Sequence, residues 1–388
     1  MKKIFIYILF FIAISCQENF LEKNPLNAPS SETFWTSADN AELWVNTLYN
    51  SLPSGNQGKY WDNWSDDGHG RTKPTQHGGE IANGTYQTNS GIIANEWSYT
   101  TIRRCLEFFE KIEEIPNISQ ERKNELSGQV NFFLAYNYFH MMTLFRDIPL
   151  EDKTLTISES DIPKSPKSEV LTYVLERINK AIDELPQTWA SSENGRVTKG
   201  AAMALKTRIL LYNEKWSEAA STAKQLIDLD IYELHPEFSE IFTEAFNNQT
   251  KEVILAYQHV ETAREWDVYR TYGFIQDKGW AISLATAEIV NAFECIDGLP
   301  INESPLYDPN EPFENRDPRF YKTIIYPYET FAGYYYDPLE GRNPAFSLTY
   351  MHWKKYNSDR QPGETHGYTN WIILRYAEVL LNYAEAKN

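Results

Sequence analysis

Apolar residues recur every three to four positions through residues 198–212 and again through 216–227, the pattern of two amphipathic helices. In the first, Ala201, Leu205, Ile209 and Tyr212 share a face, and Thr198 stands where an N-cap is needed. A turn at 213–215 separates it from a second helix with Trp216, Ala219, Ala220, Ala223, Leu226 and Ile227 on one side. The small alanines allow close backbone approach, so the pair predicts an antiparallel helical hairpin. The same period predicts helices from near Ser37 (Leu43, Val45, Leu48, Tyr49), over 99–114, and over 119–145 (Leu126, Val130, Phe133, Leu134, Asn137, Met141, Leu144). Another starts at Ser165-Pro166, with Ser as N-cap, Pro at the first helical position, and Val170, Val174, Ile178 and Ile182 inward. Residues 251–257 alternate as one strand, and a helix is expected near 286–295. A last helix over 371–388 carries Leu374, Ala377, Leu381 and Ala384, a face whose partner the sequence does not supply, so the chain reads as truncated at its C-terminus.

Helical hairpins of this kind cannot bury their faces alone and stack as in tetratricopeptide-type repeats. The expected fold is therefore mainly α, a scaffold of helical hairpins with few strands. Two stretches interrupt it. Residues 55–98 hold turn pairs such as Asp67-Gly68 and Asn83-Gly84 and five large rings, Tyr60, Trp61, Trp64, Tyr86 and Trp97, which argues for a functional loop rather than disorder. Residues 297–370 are rich in proline and glycine, predicting loops with short strands.

Composition narrows the function. The 388 residues are 42% hydrophobic, ample for a substantial core, and the net charge of -18 argues against binding a phosphate backbone. Aromatics include 11 Trp and 25 Tyr, most expected in the core and a minority on a binding surface. At the N-terminus Lys2 and Lys3 precede an apolar run over 4–14, too short to span a bilayer but suited to a secretory signal of residues 1–15. Beyond Cys16 only Cys105 and Cys295 remain, so no disulfide framework or CxxC site is available.

No GxSxG, HExxH, Walker or GxGxxG motif is present, and His69 and His77 lack the spacing of a metal site, so the chain calls for no metal and no cofactor. The charged cluster ENRDPRF at 314–320 reads as a structural clamp: Asn315 and Asp317 form turns, Pro318 fixes a backbone angle, and Arg316 and Arg319 are expected to bind carboxylates. What remains is the aromatic loops, because sugar C–H faces stack on Trp and Tyr while Asp and Arg bond hydroxyls at the rim. The loop 60–97 and the aromatic segment 266–280 are expected to converge on one face. Trp64, Trp97, Trp266 and Trp280 are its stacking rings, Asp66 and Arg71 its polar groups, and Tyr334 and Tyr335 a third source.

Cys16 directly after the apolar run resembles the lipid-bearing cysteine of a bacterial lipoprotein. Together with the opening Phe-Leu-Glu, Pro, Phe-Trp order, the repeat helix 195–212, ENRDPRF, and RYAEVLLNYAEA at 375–386, the mature chain resembles the SusD/RagB family of Bacteroidetes outer-membrane lipoproteins. The resemblance implies a tetratricopeptide-like helical fold with an N-terminal region over 16–230 and a RagB/SusD C-terminal region over 231–388. It also implies a non-enzymatic, lipid-anchored, surface-exposed protein of the cell outer membrane that captures a glycan for a SusC-like TonB-dependent transporter. Peptide capture, known for part of that family, is a variant; a secreted carbohydrate-active enzyme and a protein-binding scaffold are the alternatives.

Overall fold

The computed structural model describes residues 34–55, 61–71, 78–247, 249–273, 278–339, 348–358 and 360–388. The signal segment, Cys16, Tyr60, His77 and Phe274 lie outside the described residues. The fold is mainly helical. Its frame is seven helices: α1 (Ala38–Leu48), α2 (Thr100–Lys111), α3 (Gln120–Phe145), α4 (Lys167–Glu184), α5 (Lys199–Tyr212), α6 (Trp216–Ile227) and α7 (Tyr376–Lys387). Hydroxyl caps fix where three of them start: Ser37 Oγ accepts from Asn40 N at 3.2 Å, Ser119 Oγ from Arg122 N at 3.1 Å, and Thr198 Oγ1 from Ala201 N at 3.1 Å.

α3 runs through the middle. Its residues from Leu126 to Met142 are buried on nearly every side because α1 and α2 pack on one flank and α4 and α5 on others, which removes the single apolar face expected from its sequence. α5 and α6 form the predicted hairpin, α4 lies against α5, and α7 packs across both α6 and α5. Ala201, Leu205, Ile209, Ala219, Ala223 and Leu226 are buried as expected, whereas Tyr212 and Trp216, at the turn end, are exposed. α4 starts at Lys167 rather than at Pro166. Its first amide, Lys167 N, donates to Asp147 Oδ1 at 2.8 Å, while Ser165 N is used in a bridge to Ile148 O, so a remote carboxylate replaces the expected serine cap.

Among the described residues eight short strands pair in four antiparallel couples: β1 (Gly68–Gly70) with β3 (Ser283–Ala285), β2 (Val253–Tyr257) with β8 (Trp371–Arg375), β4 (Ile324–Ile325) with β7 (His352–Trp353), and β5 (Thr330–Phe331) with β6 (Tyr334–Tyr335). β8 corrects the expected 371–388 helix. Its apolar, partly β-branched run is taken by the free edge of β2, Arg375 Nη1 donates to the buried Glu252 at 2.6 Å, and only from Tyr376 does the chain turn helical. Leu374 is therefore a strand residue in the core. Val379 and Asn382 form the buried side of α7, while Leu381 and Ala384 face solvent. Arg208 on α5 closes this junction with a two-pronged bond to Glu378, both contacts at 2.6 Å.

The clamp at 314–320 is structural, with different partners from those expected. Arg316 is 1% exposed and donates to three backbone carbonyls, Pro312 O at 2.9 Å, Phe293 O at 2.7 Å and Val290 O, rather than to carboxylates. Arg319 does meet a carboxylate, that of Asp317 at 2.6 Å, and Asp317 also caps the helix Pro318–Thr323. Cys105 and Cys295 are both free and buried.

Candidate functional site

The irregular loop after α1 is held in place from two directions. Trp61, which opens a short helical turn Trp61–Trp64, stacks on His140 of α3 with ring centres 5.4 Å apart, and His140 Nε2 lies 2.6 Å from the buried Glu96 carboxylate. Asn63 is fully buried and accepts from Ser283 Oγ at 2.9 Å, which in turn accepts from Trp353 Nε1 at 3.1 Å. The strands continue this seam in the register Gly68↔Ala285, His69↔Leu284 and Gly70↔Ser283, followed by Arg71 N donating to Ile282 O at 3.1 Å. The first aromatic loop thus meets, along β1 and β3, the chain that directly follows the second aromatic segment.

Trp280 stands just before this seam and is 44% exposed. Its amide donates to Arg270 O, and the Arg270 guanidinium lies 4.9 Å from its ring centre, which fixes the indole while leaving a face open. Asp66 is exposed; its carbonyl accepts from the Thr286 hydroxyl, leaving the carboxylate at the surface. Arg71 is half-buried at the end of β1, and burial lowers its guanidinium pKa from the ordinary arginine value. Trp64 is also half-buried. Gly78, at φ +98, presses so close that an added Cβ would lie 2.5 Å from the indole, so one edge of Trp64 is covered.

Trp266 does not belong to this surface. It is 1% exposed, its Nε1 donates to Thr369 O at 3.0 Å, its ring stacks on His259 at 5.3 Å, and Tyr272, Tyr356 and Trp371 meet it edge-on. Gly55, at φ +75, fits only because it has no side chain to strike Trp266 and Trp371. The expectation of Trp266 as a stacking platform is therefore corrected: the ring is core, because partners from four separate segments close over it. Trp97, 36% exposed, packs 4.9 Å from Phe145 at the end of α3, with Lys164 5.3 Å above the ring. It is anchored on the helical frame. Tyr335 is 60% exposed on the β5–β6 hairpin and Tyr334 half-buried; the neighbouring Tyr336 hydroxyl bonds His352 of β7 at 3.0 Å, which ties the hairpin to the strand that also carries Trp353.

Sequence reasoning missed a cleft of about 310 Å³ beside the 61–64 turn. Asp62, Tyr272, Trp353, Lys355, Tyr356 and Trp371 line it, the last four from the stretch read only as proline- and glycine-rich loop or as helix. Tyr356 and Trp371 stack at 4.7 Å, and Tyr272 continues the parallel column at 6.3 Å. The one available signal was the run Trp353-Lys354-Lys355-Tyr356, two rings flanking two cations. Burial, with Arg375 nearby, pushes Lys355 down to about 8.

Comparison with known proteins gives consistent results along the chain. The profile described as SusD family matches residues 251–388, and the one described as starch-binding, associating with outer membrane, matches residues 19–211. A SusD-like protein of Bacteroides fragilis shares 29% identity over 94% of this chain and 78% of its own, with a TM-score of 0.81. A SusD-like carbohydrate binding protein from the same organism shares 25% over 91% and 74%, with a TM-score of 0.83. SusD-like protein P2 of Formosa agariphila is 23% identical over the whole of this chain and 77% of its own length. The helical frame, the clamp at 314–320, and the two profiles in series lead to one assignment: this chain belongs to the SusD/RagB family.

Proposed function

We propose that this protein captures glycans at the cell surface and hands them to a SusC-like TonB-dependent outer-membrane transporter without chemical change. The observation that carries the reading is the half-exposed Trp280, steadied by Arg270, beside the β1–β3 seam where Asp66 and Arg71 offer an acceptor and a donor. The carbohydrate-binding description of one Bacteroides fragilis relative, at 25% identity, supports it. Two or three stacked rings contribute about 0.5–1.5 kcal/mol each. With a few hydrogen bonds they give affinities between roughly millimolar and micromolar. Such binding suits capture followed by release.

Titration of the purified protein with gluco-, manno-, xylo- and galacto-oligosaccharides, followed by chromatography of the sugars, tests the reading. At least one series should bind in that range and be recovered intact; shortened sugars would assign an enzyme, and binding of peptides alone would replace the ligand class.

The anchor is proposed from Cys16, which follows the apolar run directly. Cys16→Ala should move the protein from the membrane fraction to the soluble one or leave it unprocessed. Unchanged fractionation with undiminished fatty-acid label would remove the lipid from this account.

A further inference from the structure

The cleft beside the 61–64 turn has polar groups that the surrounding protein leaves without hydrogen bonds. Among the charged groups on and around it, Arg375 is paired with Glu252 at 2.6 Å and Glu378 with Arg208 at 2.6 Å. The Lys355 ammonium and the Asp62 carboxylate have no hydrogen-bond or ion-pair partner among the described residues, although each feels the charge of the other. The Lys355 ammonium instead lies 5.3 and 5.2 Å from the ring centres of Phe238 and Phe242. An ammonium in aromatic surroundings is costly to desolvate without a bonding partner, whereas the Asp62 carboxylate stands exposed at the mouth of the cleft, where a ligand can reach it.

The charge balance selects the partner. Lys355, Arg375 and Arg208 are offset by Asp62, Glu252 and Glu378, so neither a free anion nor a free cation gains net attraction there. A neutral group with adjacent hydroxyls satisfies both ends at once, giving a lone pair to Lys355 Nζ and an O–H to the Asp62 carboxylate. Trp353 supplies an aromatic wall for its C–H face. At about 310 Å³ the space is at the small end for ligand sites, enough for one ring with its substituents and not for a chain.

We infer that this cleft holds one uncharged sugar ring of the captured glycan between Lys355 as donor and Asp62 as acceptor, which makes it a specificity pocket for neutral sugars. The inference rests on the glycan-binding reading above and extends it from the Trp280 surface into the cleft.

Calorimetric titration of wild type, Lys355→Met, Lys355→Arg, Asp62→Asn and Trp280→Ala with neutral gluco- and manno-oligosaccharides and with oligogalacturonate tests it. Lys355→Met and Asp62→Asn should each weaken neutral-sugar binding roughly ten- to a hundredfold, the loss of one hydrogen bond to a charged group, with melting held, and Lys355→Arg should recover part of it. The neutral series should outbind oligogalacturonate on wild type. Neutral binding weakened by Trp280→Ala but untouched by both cleft variants would overturn the cleft and leave the function standing. Tighter oligogalacturonate binding that depends on Lys355 would overturn the neutral specificity. No binding of any sugar by wild type would overturn both.

Discussion

Trp266→Ala should cost about 3–5 kcal/mol of folding free energy, the ordinary range for emptying a buried tryptophan site. The ring is enclosed by His259, Tyr272, Tyr356 and Trp371, and its backbone exchanges two hydrogen bonds with Gly367, at 2.9 and 3.0 Å. Truncation would leave a cavity and also strand the Thr369 carbonyl that the indole N–H now satisfies. Collapse cannot fill the gap cheaply, because Trp371 belongs to β8 and is fixed by pairing with Tyr257 of β2. Denaturant unfolding should show the full loss with cooperativity preserved. A loss below about 1 kcal/mol, as at an exposed site, would mean that the ring is not enclosed as described.

The contrast between Trp266 and Trp280 shows what a sequence can and cannot carry. Both sit in one aromatic stretch with similar neighbours, and nothing local separates a core ring from a surface ring. The difference comes from Gly55, His259, Tyr356, Thr369 and Trp371, which the fold brings in from other parts of the chain. The helical frame was legible because its signals are local: Thr198 caps three residues ahead, and the alanines of α6 repeat at helical spacing. β8 was not, since 371–375 runs without a break into helical residues and only its pairing with β2 makes it a strand. Arg316 was recognised as a clamp, but its carbonyl partners at 290, 293 and 312 depend on how two loops and a short helix meet. The cleft around Lys355 was invisible for the same reason: Asp62 and Trp371 lie far apart in the chain and share a wall only after folding.

Trp280→Ala should leave stability nearly unchanged and weaken glycan binding. The indole is 44% exposed and makes its fixing contact with one guanidinium, so its removal opens no cavity in the core. Its open face stands next to the β1–β3 seam, and losing a stacked ring of this kind costs about 0.5–1.5 kcal/mol, several-fold in affinity. Arg270 itself would become freer to move, which adds to the loss without affecting the fold.

The most direct measurement is therefore a paired one on Trp280→Ala: the melting temperature, and the affinity for whichever oligosaccharide the wild-type protein binds. Melting should stay within error of wild type and binding should weaken several-fold; lowered melting with affinity unchanged would place Trp280 in the scaffold and contradict the proposed binding face.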